Sequence, residues 1–307
     1  MFLINALYKK SFICRYDKDG IIPYLSYEDF PNLNMDEKSF LNSRGNEIHY
    51  FKYFYKEHEQ KDTIIFCPGI GAGHTAYLRE IEEFARRGYV VYSLDYTGCD
   101  KSTGRNMVSI YEPTRDVNEL IDLLNIKSNL IVIGHSLGGF TALNISRLRK
   151  DIKKTVCMSA FISFEKLLKQ IIKNKIAVNS ILKYENRMNK EIIASNIDYL
   201  KNTKDSLLFI HSKDDKMVNY SDTIDEIEEL NNKNIKIYKT DNKGHNPDYS
   251  LEAVQYMVSV FSEYNMLVKS KKLKTYEQKK AYMSDKSAFK MTELDQEVIE
   301  VIMEYIK

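Results

Sequence analysis

The sequence predicts an α/β fold: a mostly parallel central sheet with helices on both faces and a small helical cap inserted near its middle. Three observations point to it. Short runs rich in β-branched and aromatic residues alternate with amphipathic stretches of about 10 to 15 residues, the pattern of right-handed βαβ crossovers. A Gly-x-Ser-x-Gly pentapeptide, residues 134–138, lies between one such run and a segment of helical character. The interval 161–204 is too long for an ordinary connection and carries apolar residues at helical spacing.

In chain order, "FLNSRGNEIHY" reads as a hairpin whose Arg-Gly-Asn turn puts antiparallel strands at one edge, with "EIHYFKYFYK" as the early strand. "TIIFCPG" is an uninterrupted apolar run and so a fully buried strand. A helix from about Ala76 to Arg87, the strand "YVVYSLD" and a helix over Pro113 to Leu124 follow. Next come the strand "NLIVIGH", a helix from Gly138 to about Lys150 and the strand "KTVCMSA". In the insert, Phe164, Leu167, Leu168, Ile171 and Ile172 form one apolar helical face. The alternation resumes with "SLLFIHS", a helix near Ser221 to Leu230, "NIKIYKT" and a helix near Tyr249 to Tyr264.

At the end of the chain, Thr292 and Asp295 resemble a capping box before the stripe Leu294, Val298, Val301, Ile302 and Tyr305, which predicts a helix packed on its own domain. The expected division is an N-terminal extension over 1–35, the core over 36–160, the cap over 161–204, the second part of the core over 205–264, and a helical extension over 265–307.

Composition narrows the function classes. The 307 residues are 43% hydrophobic, enough for a full core. The 45 basic and 43 acidic residues nearly cancel, so no nucleic-acid partner is expected. Cys14, Cys67, Cys99 and Cys157 lie far apart without metal-ligand spacing; they read as free thiols, with Cys67 and Cys157 as small core residues. Metal is not expected, and the thiols fit a reducing cytoplasm. The start "MFLINALYKKSF" has neither a charged leader region nor a cleavage site, and no apolar run is long enough to span a bilayer, so stable membrane insertion is not expected.

A strand, a Gly-x-Ser-x-Gly turn and a helix make a nucleophile elbow. The serine sits on a sharp turn, so the positions two residues away must be almost free of side chain; Gly134 and Gly138 meet that demand. Ser136 is the expected nucleophile, and the N–H of Leu137, at the helix start, one donor to the oxyanion. A serine needs a base. His49 and His58 fall near the edge strands, His135 precedes the nucleophile with its side chain expected to point away from it, and His211 ends a buried strand. His245, in the polar loop "TDNKGHNPD" after the last strand, opens onto the same sheet edge and is the expected base. The carboxylate that orients it comes from "HSKDDKMV", where either Asp214 or Asp215 qualifies. The order Ser, Asp, His is that of α/β-hydrolases.

A second oxyanion donor should come from "CPGIGAGH", where Gly69, Gly71 and Gly73 permit close approach and the Ile70 amide is the candidate. The loop lacks the Lys-Ser/Thr of a phosphate-binding loop, so a nucleotide is disfavoured. Gly69, Gly71, His74 and His135 are expected to contact substrate. Cys99 lies in a loop but has no better claim on a histidine than Ser136.

Residues about 38 to 264 resemble the α/β-hydrolase superfamily, and within it the serine aminopeptidase and monoglyceride lipase-like branch of esterases. The motifs that carry this are "GHSLGG", "PGIGAG", "LDYTGCDKSTG", "HSKDDKMV" and "GHN". The resemblance implies that the acid is Asp215, through a GxxDxxV-like pattern at Ser212, Asp215 and Val218. The chain departs from the family at Pro68-Gly69, where His-Gly is usual. It departs again in Asp95, Thr97, Gly98, Asp100 and Ser102, where DxRGxGxS is usual. Both spots are expected to support the oxyanion loop.

The expected function is a cofactor-free serine hydrolase acting on a small or medium apolar acyl ester, by way of an acyl-enzyme. Thioesters and amides are further candidates. An acyltransferase or aminopeptidase on the same triad, or a non-catalytic binding protein on this scaffold, are the alternatives. The partner is a small acyl substrate; oligomeric state is left open.

Overall fold

The computed structural model describes residues 2–71, 73–189 and 195–307. Eight strands form one sheet: β1 (Asn34–Leu41), β2 (Glu47–Phe54), β3 (Thr63–Cys67), β4 (Val90–Leu94), β5 (Leu130–His135), β6 (Ile152–Met158), β7 (Leu207–Ser212) and β8 (Ile235–Thr240). Their spatial order is β1-β2-β4-β3-β5-β6-β7-β8. The β1–β2 and β2–β4 pairs are antiparallel, and every later pair is parallel. The antiparallel edge follows from the hairpin, where Gly45 takes φ +76° and its N–H donates to the Asn42 carbonyl.

Helices cover both faces, which is why the central strands are apolar throughout. Along β3 and β5, alternate residues go to opposite cores, as the two-residue period of a strand requires. Ile65, Cys67 and Val132 join the core beneath α3 (Glu112–Leu124) and α4 (Leu137–Leu148). Ile64, Phe66, Ile131 and Ile133 join the core beneath α2 (Leu78–Arg86). The long α9 (Leu251–Lys269) starts at Ser250, whose hydroxyl caps the Ala253 N–H.

The insert between β6 and β7 contains α5 (Phe164–Ile171), α6 (Lys175–Met188) and α7 (Ile197–Asn202). Of the expected cap, residues 190–194 lie outside the described residues. Phe164, Leu167 and Leu168 are buried, whereas Ile171 is half exposed at the helix end. The segment near Ser221 to Leu230 is a wide helical turn, Ser221–Asp225, running into a short α8 (Glu226–Glu229).

Two terminal features differ from or exceed the sequence expectation. The extension at the start folds as α1 (Phe2–Ser11) and packs on α6, with the Tyr8 hydroxyl donating to Glu185 Oε1 at 2.8 Å. At the other end, α10 (Tyr276–Ser284) and α11 (Ala288–Met291) lead to α12 (Gln296–Ile306). Thr292 does not cap α12; its hydroxyl donates to the Ala288 carbonyl, and Asp295 is the N-cap, accepting from the Glu297 and Val298 N–H groups. The expected apolar stripe is nonetheless buried, with Leu294, Val298, Ile302 and Tyr305 in the same core as Phe66. Among the described residues, no helix is long and apolar enough to cross a membrane.

Candidate active site

Ser136 stands between the end of β5 and the first turn of α4 with φ +56° and ψ −118°. A side-chain-bearing residue reaches this region only under strain, which is the mark of an elbow. The flanking glycines make it possible. A Cβ on Gly134 would run into the Gly138 carbonyl, and one on Gly138 would run into the carbonyls of Cys67 and Pro68. The start of α4 is therefore pressed against the end of β3, and the Leu137 amide is brought beside the glycine loop that carries Ile70.

His245 Nδ1 lies 2.8 Å from Asp215 Oδ2. A carboxylate oxygen accepts, so Nδ1 carries the proton and Nε2 is left free to act as a base. Asp215 is fully enclosed, and its other oxygen accepts from the N–H groups of Met217 at 2.8 Å and Val218 at 3.1 Å. Burial alone would favour the neutral acid. The hydrogen bonds from His211, His245 and the Val218 backbone outweigh it and hold the carboxyl well below its ordinary range. Asp214 faces elsewhere: its Oδ1 accepts from the Ser212 hydroxyl at 2.5 Å and from the Gly244 N–H at 3.1 Å, which ties the acid loop to the histidine loop.

Ser136, Leu137, Ile70 and His245 line one cavity of about 260 Å³. Its remaining walls are mostly apolar, with Ile110, Phe161, Leu167 and Met217 among them, and Ser11 and Tyr16 add two hydroxyls. Among the described residues, no hydrogen bond joins Ser136 Oγ to His245. Contacts of this kind are commonly loose without substrate and tighten when it binds.

Two histidines expected to touch substrate are instead buried supports. His135 Nε2 is 2.6 Å from the His245 carbonyl, which can only accept, so Nε2 carries the proton. Nδ1 is then the acceptor of the Tyr77 hydroxyl at 2.9 Å. Burial, with His245 nearby, pushes the His135 pKa down to about 3, so the ring stays neutral and clamps the backbone of His245. His74 stacks on Phe51, ring centroids 3.6 Å apart, and both its backbone N–H and its Nδ1 meet Asp95 Oδ1, at 3.0 and 2.8 Å.

That last contact explains the motif beginning at Asp95. Gly73 has φ +76°, and a Cβ there would collide with the Asp95 carboxyl. Asp95 thus holds the exit of the glycine loop, while the Tyr96 hydroxyl donates to the Pro68 carbonyl at its entrance, 3.0 Å away. Gly69 and Gly71 belong to this loop but are not among the residues lining the cavity; a Cβ on Gly69 would strike the Tyr77 hydroxyl. Cys67, Cys99 and Cys157 are buried, and burial raises each thiol far above its ordinary range, which leaves them unreactive.

Three residues of the site are not foreseen from the sequence: His211, Phe12 and Tyr16. His211, at the end of β7, sends Nε2 toward Asp215 Oδ2 at 3.2 Å and the Val218 carbonyl at 3.0 Å. Its i, i+4 spacing from Asp215 was the available signal. Phe12 and Tyr16, from the N-terminal extension, line the cavity, and nothing local in the sequence announces a contact across more than a hundred residues.

Comparison with known proteins agrees with this architecture. Residues 58–205 match the family model described as serine aminopeptidase, S33. An esterase of Pyrococcus furiosus superposes with TM-score 0.57 at 19% identity, covering 84% of this chain and 96% of that one. Est1E of Butyrivibrio proteoclasticus, solved with ferulic acid bound, superposes with TM-score 0.57 at 18% identity, covering 74% and 98%. An epoxide hydrolase of Caballeronia sordidicola is 28% identical over 95 residues, 30% of this chain and 29% of that protein, so the match spans less than a third of its relative. Sheet order, elbow and these superpositions give the chain the α/β-hydrolase fold, and residues 58–205, just under half of the chain, resemble the serine aminopeptidase, S33 family.

Proposed function

We propose that the protein is a serine hydrolase that cleaves carboxylic esters of apolar acyl groups through an acyl-enzyme. The observation that carries this reading is the 2.8 Å contact between His245 Nδ1 and Asp215 Oδ2, with His245 and Ser136 on the wall of one apolar cavity. Ser136 Oγ attacks the ester carbonyl while His245 Nε2 takes its proton. The tetrahedral oxyanion is held by the Ile70 and Leu137 amides. On collapse, the bond to the alcohol oxygen breaks and His245 returns the proton to it. Water then attacks the acyl-enzyme, loses a proton to the same nitrogen, and releases the acid and free Ser136.

An ester is favoured over a peptide with a free amino terminus because, among the described residues, no carboxylate lines the cavity to receive an ammonium. The esterase that shares the fold supports the same direction. A screen of p-nitrophenyl esters of increasing acyl length, run on wild type and Ser136→Ala, tests the proposal. Turnover should fall by about a thousandfold or more in the variant, and a fluorophosphonate probe should label Ser136 alone. Equal turnover by both proteins, or no adduct on Ser136 in folded protein, would remove it.

A further inference from the structure

The cavity at Ser136 is not walled by the insert alone. Ser11, Phe12 and Tyr16 close part of it, and a second cavity of about 310 Å³ abuts it across Ser11, Phe12 and Ile171. The walls of that second space include Ile4 and Leu7 from α1, Leu168 from α5, and Ala177 and Ile181 from α6. The polar atoms of its lining side chains are the hydroxyls of Tyr8 and Ser11, and the Tyr8 hydroxyl is already donated to Glu185. A space with so few polar partners suits alkyl groups rather than ordered water.

The wall is anchored. Ser180 Oγ donates to Asn5 Oδ1 at 3.1 Å, joining α6 to α1. Beyond α1, the Arg15 guanidinium donates to the carbonyls of Asp100, Ser102 and Gly104 at 2.6 to 3.0 Å, and the Tyr16 N–H donates to the Gly98 carbonyl. Phe12 is thereby fixed between two cavities of similar size. Leu7 and Ile171, each more than half exposed, form an open rim.

We propose that the second cavity is a distal acyl site. The alkyl chain of an ester whose carbonyl sits at Ser136 runs past Phe12 and Ile171 and ends between α1 and α6. The substrate class is then an ester of a long unbranched fatty acyl group, and the N-terminal helix, which lies outside the S33 match, sets chain length. The substrate class rests on the hydrolase reading above, whereas the alkyl site itself does not. Each methylene withdrawn from water should tighten binding by about fourfold.

The test has a binding arm and a turnover arm, both on the full chain. A fluorescent linear polyene fatty acid is titrated into Ser136→Ala protein with and without Leu7→Asp or Ala177→Trp, and its Kd should rise at least tenfold with either change. In catalytically intact protein, the same two changes should lower kcat/KM for the p-nitrophenyl dodecanoate at least tenfold relative to the butyrate. Unchanged probe affinity in both variants, with unaltered circular dichroism, overturns the proposal, as does an equal fall for both esters. If Ala177→Trp fails to fold, Leu7→Asp, at an exposed position, decides. Tight, variant-sensitive probe binding without hydrolysis of any ester would sink the hydrolase reading while leaving the alkyl site standing.

Discussion

His211 Nε2 lies 3.2 Å from Asp215 Oδ2, the same oxygen that receives His245 Nδ1 at 2.8 Å. The acid is therefore held between two imidazoles, one facing the cavity and one sealed in the core. Since the Val218 carbonyl also takes the His211 N–H, at 3.0 Å, that ring fixes both the carboxylate and the loop that carries it. His211→Phe should leave KM for a short ester within about twofold and lower kcat by about ten- to a hundredfold, as loss of a supporting hydrogen bond does elsewhere. Steady-state kinetics check this; a pure rise in KM would contradict it.

The same pair has a consequence for acid stability. Asp215 ionises more readily in the fold than in the unfolded chain, so its contribution is present above the ordinary value of 3.8 and is lost as pH falls below it. Removing His211 weakens that contribution. Urea midpoints of His211→Phe and wild type should thus differ more at pH 7 than at pH 3, after a pH-independent offset for the altered core.

The elbow predicts an order of severity among glycines. At Gly138, a Cβ meets two backbone carbonyls, of Cys67 at the end of β3 and of Pro68 in the glycine loop, and backbone cannot swing aside. At Gly244, φ is +55° but the surrounding space is open, so alanine carries only the left-handed backbone cost of about 1–2 kcal/mol. Gly138→Ala should lower Tm well beyond Gly244→Ala and abolish fluorophosphonate labelling, whereas Gly244→Ala should retain labelling. Thermal melts with labelling at matched folded fraction decide.

Much of this arrangement is legible in the sequence, and the remainder is not, for identifiable physical reasons. Gly134, Ser136 and Gly138 are local: the turn's geometry demands them, so strand, motif and helix could be read together. Asp215 and His245 follow from chain order once the parallel sheet is granted, because strand ends converge on one rim. The choice between Asp214 and Asp215 depends on which carboxyl turns inward, and adjacent residues in a loop carry no periodicity to say so. His74 and His135 were expected at the substrate because they neighbour the motifs. Burial against Phe51, for His74, and against Tyr77, for His135, is a tertiary property of residues distant in sequence. The wall supplied by Phe12 and the cap supplied by Asp295 escaped for the same reason: each depends on where a terminal extension comes to rest.

His135 offers a sharper separation of positioning from acid–base work. Its pKa is pushed down to about 3, so it does not titrate where an esterase is assayed. His135→Phe removes the 2.6 Å hold on the His245 carbonyl and frees the Tyr77 hydroxyl. Activity should fall about tenfold or more by displacing the base, with the midpoint of the acid limb of the pH–rate profile unmoved. A shifted limb would show that His135 itself exchanges a proton in turnover.

The junction of the N-terminal helix with the insert should respond to pH in the opposite sense from Asp215. Glu185, on α6, is enclosed and accepts from the Tyr8 and Ser109 hydroxyls, at 2.8 and 2.6 Å, and from Asn189 Nδ2 at 3.3 Å. Burial is nevertheless the larger influence and raises its pKa from 4.5 to about 7. A folded value above the unfolded one means that the native state holds the proton more tightly. Its stabilising share is therefore full below about pH 4.5 and fades as pH rises through 7. The amount at stake is about 3 kcal/mol at most. Glu185→Gln keeps the shape and cannot ionise, so the stability difference, variant minus wild type, should grow from pH 5 to pH 8. Denaturant midpoints across that range provide the measurement. A difference that stays flat would mean that Glu185 is charged at both ends of it, and that the contacts with Tyr8 and Ser109 rather than burial set its state.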